Sequence, residues 1–290
     1  MKISEILKTR KLTVSFEVFP PKQDSAYDAV IKCTEELSYL EPDFISVTYG
    51  AGGGTSANTV KIASHIKERG VTPLAHLTCM SSTKEEVHSI IDELKKRNIE
   101  NILALRGDRP KDPVFNAPGS LAYASDLVRE ILASGDFCVG GACYPEGHPE
   151  SGHKDKDLDN LKAKVDAGCS FLTTQMFFDN NMLYSFLYRA QAKGINVPVL
   201  AGIMPVTSGS QIKKMMELSN AYLPPKFLAL VDRFGDNNEA MKQAGIAFAT
   251  EQIIDLITNG VRGIHIYAMN KSDVVRSIVS NVSAIIKEAR

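Results

Sequence analysis

Apolar and polar positions along this chain alternate in blocks. Short runs rich in β-branched and aromatic residues fall at 13–19, 44–48, 73–78, 101–105, 137–143, 171–175, 198–203 and 263–267. Their length and composition predict strands. The segments between them have helical spacing. Within 84–97, Val87, Ile90, Ile91 and Leu94 recur at i, i+3, i+4 and i+7, which places them on one helix face. After the last strand, Val275, Ile278, Val282 and Ile285 continue this spacing and predict a helix packed on the sheet. A Leu223-Pro224-Pro225 break precedes a short segment and then a long helix from about Glu239 to Thr258. Eight strand–helix units in 290 residues predict an α/β fold, a (β/α)8 TIM barrel forming a single domain over residues 1–290. A doubly wound open sheet is the alternative.

Polar residues at the strand ends favour the barrel. An open sheet gathers its ligand chemistry at one switch point, whereas a barrel uses the C-terminal ends of many strands. Here Glu17 lies inside SFEVFPP, Thr48-Tyr49-Gly50 closes the second run, and His76 sits in AHLTC. Arg106, Gly107 and Asp108 end the fourth run, CYPEGHPE follows the fifth, Gln175 ends the sixth, and HIYAMN ends the eighth. Glu17 is flanked by Phe16, Val18 and Phe19. Left unpaired there, its carboxyl is expected to have a raised pKa, as a general acid requires, and pairing with a barrel cation is the alternative. Asp108 suits the paired N–H donors of a pterin or guanine edge. Arg106 and Asp108 in a rim salt bridge, and His76 as a satisfied core histidine, are the plainer readings.

Composition narrows the function classes. The chain is 44% hydrophobic and 23% charged with a formal net charge of −1, which gives no support to nucleic-acid or acidic-membrane binding. No apolar run reaches the length of a membrane span, and the N-terminal stretch lacks a signal-peptide core, so the cytoplasm is the expected compartment. Cys33, Cys79, Cys138, Cys143 and Cys169 form no C-x-x-C pair, and Cys143, Glu146, His148 and His153 lack zinc spacing, so no metal is expected. The glycines of GAGGGT match neither a Walker loop nor a dinucleotide fingerprint. No lysine lies within the strands, which disfavours a Schiff-base aldolase.

SFEVFPPK, SVTYGAGGGT, HLTC, LALRGD, YASDL, YPEGHPE, DLDNLKAKVDAG, TTQMFFD, GIMPV and IHIYAMN occur in this order from residue 15 to 270. Together they make the chain resemble methylenetetrahydrofolate reductases of the short bacterial type. The resemblance implies a barrel holding FAD that reduces 5,10-methylenetetrahydrofolate to 5-methyltetrahydrofolate, supplying methyl groups for methionine synthesis. It implies that Glu17 is the acid protonating the folate N10, and that reduced flavin then delivers hydride from its N5. Asp108 is implied at the pterin edge and near the flavin, Gln175 at a position shared by folate and nicotinamide, and Thr48 at the nicotinamide site. Implied flavin contacts are Tyr49, Ala51, His76, Arg106, Gly107, Ala124, Tyr144, His148, Asp157, Asn160 and Lys164. Lys164 and His148 are the candidates for the diphosphate, and the glycine loop would lie against the flavin. Gln211 is implied as a substrate contact.

Two positions depart from the family's bacterial pattern. Met215 stands where an aromatic residue is common, and Lys271 where Arg meets the substrate's glutamate carboxylate. The donor is therefore left among NADH, NADPH and an electron-supplying partner protein, with NADH expected over NADPH because no Arg cluster is evident near Thr48 or Gln175. A homo-oligomer is expected. The competing readings are a flavin- and folate-binding subunit of a larger methyl-transfer complex, and a phosphosugar barrel enzyme suggested by the VTSGS loop.

Overall fold

The computed structural model describes the chain except for residues 22, 50–55, 81, 109–120, 213–214 and 216–220. Eight parallel strands close into a barrel in sequence order: β1 (Thr13–Val18), β2 (Phe44–Val47), β3 (Thr72–Thr78), β4 (Asn101–Leu105), β5 (Cys138–Cys143), β6 (Phe171–Thr174), β7 (Val199–Ile203) and β8 (Gly263–Tyr267). β1 pairs with both β2 and β8, setting Glu17 beside Ser46 on one side and Tyr267 on the other. Phe19 falls outside β1 because the Asn270 side chain takes both of its backbone groups, at 3.0 and 2.9 Å. The described connecting helices are α1 (Ile3–Thr9), α2 (Tyr27–Ser38), α3 (Ser56–Glu68), α4 (Lys84–Lys96), α5 (Ala124–Ser134), α6 (Lys154–Asp166), α7 (Asn180–Ala192), α8 (Pro225–Phe234), α9 (Asn238–Thr258), α10 (Ser272–Asn281) and α11 (Ser283–Ala289).

Strand alternation sorts the side chains. On β1, Val14, Phe16 and Val18 point outward into the main core, while Ser15 and Glu17 point into the barrel. Val87, Ile91 and Leu94 of α4 are buried, and Thr83 and Glu86 close its first turn by reciprocal bonds of 3.2 and 2.8 Å. Pro224 and Pro225 open α8 where a missing N–H costs nothing. The final helix differs from the expected one. Val282, with φ −111° and ψ 11°, separates α10 from α11. The break turns the apolar face by one residue, so Ile286 rather than Ile285 is buried.

The N-terminal end of the barrel is filled by Phe44, Leu74, Leu103, Cys138, Phe171 and Leu200, and α1 lays Ile3, Ile6 and Leu7 beneath them. At 7 residues α1 is too short to persist alone. Asn101 anchors it, accepting the Ile3 N–H at 2.8 Å and donating to the Met1 carbonyl at 3.1 Å. A satellite core of Phe178, Val206, Ile212, Leu223, Phe227 and Met241 supports the long excursion between β7 and β8. In α9, Gly245 lets the helix press on the β7 loop: a Cβ there would lie 1.8 Å from the Val206 carbonyl oxygen. Among the described residues no helix is long and apolar enough to cross a membrane.

Candidate active site

The inward residues of β1, β2, β3 and β8 build a polar chamber below the barrel mouth. Glu17 Oε2 lies 3.4 Å from His76 Nε2 and 3.6 Å from His265 Nε2, and accepts from the Ser46 hydroxyl at 3.4 Å. His265 is held on every side. Ser15 Oγ is 2.8 Å from its Nδ1, Ser46 Oγ is 3.3 Å from its Nε2, Phe44 stacks on its ring, and Tyr267 meets it edge-on. Tyr267 donates its hydroxyl to the Thr174 carbonyl. The bare backbone of Gly202 makes room for this contact, since a Cβ there would lie 2.5 Å from both oxygens.

This geometry corrects the expectation of an unpaired Glu17 with a raised pKa. Burial does push the carboxyl upward, but the close approach of His265, the nearby His76 and the Ser46 hydroxyl outweigh it and hold the pKa below the usual value. The apolar flanks that suggested otherwise, Phe16 and Val18, lie on the opposite face of the strand and never surround the carboxylate.

His76 is pushed down to about 4, chiefly by burial, with Glu17 acting in the opposite direction. Its folded pKa lies below the unfolded value, so stability is intact above pH 6.5 and is lost as pH falls from 6.5 towards 4. Over that window the single proton is worth about 3 kcal/mol. Urea midpoints of the wild type and His76→Gln measured at pH 7, 5.5 and 4.5 should converge as pH falls. Parallel pH dependence in the two proteins would remove His76 as the cause.

A second cluster forms the rim above β4 and β5. Arg106 makes a bidentate pair with Glu150 at 2.8 and 2.6 Å. Gly107 has φ +83°, and a Cβ on it would press on Thr78 at 3.1 Å, so local geometry alone requires glycine there. Asp108 is exposed at the mouth, not paired into the core. Tyr144 and His148 meet edge to face at 4.6 Å. Burial raises the Tyr144 pKa to about 12 and, assisted by Arg106, lowers that of His148. His148 Nδ1 accepts the Glu150 N–H at 3.1 Å. Lys164 reaches in from α6 to donate to the Ala142 carbonyl at 2.6 Å. Burial lowers its pKa. Asp157 is buried and accepts from Ser151 at 3.1 Å, Ala124 is buried at the start of α5, and Asn160 is exposed.

The remaining predicted residues ring the other strand ends. Thr48 is half-buried, and its carbonyl accepts the Thr59 hydroxyl at 2.9 Å. Tyr49 packs on the main core. Gln175 is tied to the end of β5 through its N–H to the Cys143 carbonyl at 2.7 Å. Gln211 and Lys271 both reach Thr207, one from the β7 loop and one from the β8 loop. Met215 packs partly buried against the satellite core. Ala51 and the glycines beside it lie outside the described residues. Reading the sequence missed Ser15, Ser46, His265, Tyr267 and Thr207. The available signal was polar residues at inward positions of otherwise apolar strands, Ser two before Glu17 and His two before Tyr267.

Among known proteins, the family described as methylenetetrahydrofolate reductase matches residues 2–283. The 5,10-methylenetetrahydrofolate reductase of Escherichia coli (strain K12) is 37% identical over 272 residues, covering 92% of this chain and 90% of that one. Methylenetetrahydrofolate reductase (NADH) 1 of Arabidopsis thaliana is 33% identical over 298 residues, covering 98% of this chain and 50% of that longer one. A solved structure of an uncharacterized protein from Clostridium thermocellum, described as binding two copies of 5-methyl-5,6,7,8-tetrahydrofolic acid, superposes with a TM-score of 0.67 at 14% identity. It covers 99% of this chain and 100% of that one, and at this identity shows the shared fold alone.

Proposed function

Because the chain belongs to the methylenetetrahydrofolate reductase family, we propose that its barrel mouth binds FAD and uses NADH or NADPH to reduce folate there. The protein is an oxidoreductase that reduces 5,10-methylenetetrahydrofolate. We place this reaction in one-carbon metabolism, where the methyl group formed serves methionine synthesis. The observation that carries the mechanism is the chamber of Glu17, His76, His265 and Ser46 directly below the mouth.

The residues around the mouth fit FAD. Lys164, Arg106 and the Tyr144–His148 pair supply cations, donors and ring faces on one side of the opening. Lys164 and His148 are the proposed partners for the diphosphate, and burial lowers the pKa of both. FAD bound there would carry hydride from the nicotinamide to the folate. The chain's own groups do the remaining work. Glu17 supplies the proton that opens the folate's five-membered ring at N10. Asp108, exposed at the rim, can accept paired N–H bonds from the pterin. Gln175 accepts the Met176 N–H at 2.9 Å through Oε1, and its amide nitrogen would donate to folate or nicotinamide.

Met215 bears on the donor. It packs against the satellite core and offers a thioether where an aromatic face would stack on nicotinamide. Losing such a stack costs about 0.5–1.5 kcal/mol. Direct reduction by NADH at modest affinity is therefore expected, with NADPH weaker. Purified protein should show a flavin absorbance spectrum that bleaches anaerobically with NADH and returns on adding methylenetetrahydrofolate. If dithionite bleaches the flavin and the folate restores it, but neither nucleotide acts at millimolar concentration, electrons come from a partner protein. A colourless protein that gains no spectrum with added FAD would overturn the flavin assignment.

A further inference from the structure

We infer that Thr207 is a positioning residue that sets how the mouth grips the acidic end of the folate, an inference that rests on the reaction proposed above. Thr207 is 6% exposed and stands between two side chains from different loops. Gln211 Oε1 lies 2.8 Å from the Thr207 N, 3.1 Å from the Ser208 N and 3.1 Å from the Thr207 hydroxyl. Backbone N–H groups only donate, so the atom they meet must be the amide oxygen. The amide nitrogen of Gln211 is thereby turned away from the loop. On the other side, Lys271 Nζ is 2.7 Å from Thr207 Oγ1. An ammonium has no lone pair to offer, so the hydroxyl accepts from Lys271 and sends its own proton to Gln211. One hydroxyl links the rim of β8 to the rim of β7, and neither neighbour can reverse its polarity.

The chemistry the pair presents follows from this direction. Gln211 and Lys271 together offer N–H donors and no acceptor. A pterin edge, whose N3–H and 2-amino groups are donors, would leave those groups without acceptors at such a pair. A carboxylate or amide carbonyl is matched, and the folate carries both at the aminobenzoyl-glutamate end. Lysine lacks the rigid fork of arginine, and its ammonium rides on a flexible stem. The Thr207 hydroxyl supplies the restraint that the stem does not.

Thr207→Val keeps the shape and removes the hydroxyl, while Gln211 retains both backbone bonds. Thr207→Ser keeps the hydroxyl. In the flavin-loaded protein, binding of 5-methyltetrahydrofolate would be compared with that of 5-methyltetrahydropteroate, which lacks the glutamate. Alongside, kcat and KM for methylenetetrahydrofolate and the rate of flavin reduction would be measured. The Val variant should bind the folate about 5–10-fold more weakly and raise KM similarly, the scale of one charge-assisted bond. Its kcat, its flavin reduction and its pteroate affinity should stay within about twofold of wild type, below the loss of such a bond. Serine should restore folate affinity. Equal weakening of folate and pteroate, a fall in kcat at constant KM, or no restoration by serine would each overturn the assignment. A wild type that bound both ligands but never turned over methylenetetrahydrofolate would sink the reductase reading instead, and the affinity comparison would still judge Thr207.

Discussion

Glu17→Gln is expected to lower the rate of methylenetetrahydrofolate reduction by about 10²–10⁴, the range one positioned general acid supplies. Flavin binding and reduction by the nucleotide should survive. The amide keeps the shape of the carboxyl and can still accept from Ser46, but it has no acidic proton to give N10. The lowered pKa of Glu17 does not contradict this role. Burial already opposes ionisation there, and the side chain is still 18% exposed to the mouth. A bound folate and flavin would cover that opening and strengthen the same effect, raising the pKa when the proton is needed. Single-turnover mixing of reduced enzyme with methylenetetrahydrofolate isolates the step. A rate within a few-fold of wild type would show that the proton comes from elsewhere.

Ile3→Asp should produce the largest loss of stability of the substitutions considered, about 3–5 kcal/mol. Ile3 is fully buried beneath the barrel, and aspartate there would bring an unpaired charge against Phe44, Phe171 and Leu200. The cost is bounded by the docking energy of α1, because the helix would leave the floor before burying the charge. Three aliphatic anchors at about 1.5–3 kcal/mol each set that scale. A fall in the urea midpoint is the expected signature, with lowered protection of amides at the start of β2 and β6. If the midpoint moves by less than a tenth of a molar, α1 contributes little to closing the barrel.

The barrel was legible because its signal is local. Runs such as 44–48 and 263–267 carry β-branched residues in blocks of strand length, and β2 and β8 lie where those runs fall. The rim residues were legible as polar ends of those runs. What surrounds Glu17 was not, for a geometric reason. Adjacent residues on a strand face opposite ways, so Phe16 and Val18 tell nothing of the space into which Glu17 points. Its true neighbours come from β2, β3 and β8, and no periodicity links His265 to residue 17. The break at Val282 was hidden for another reason. Apolar residues at both 285 and 286 let the helix face be read in two registers, and tertiary packing chose Ile286.

The packed floor shuts one end of the barrel. Among the described residues, Phe44, Leu74, Leu103, Phe171 and the α1 side chains fill the end of the barrel below Glu17, so the proposed nicotinamide donor and the folate would both approach from the mouth. Because Gln175 is proposed to serve both reactants, each would have to depart before the other is served. If the donor is the proposed nicotinamide, an excess of either reactant should obstruct turnover by queueing at the same opening, and electrons would pass on by alternation of guests.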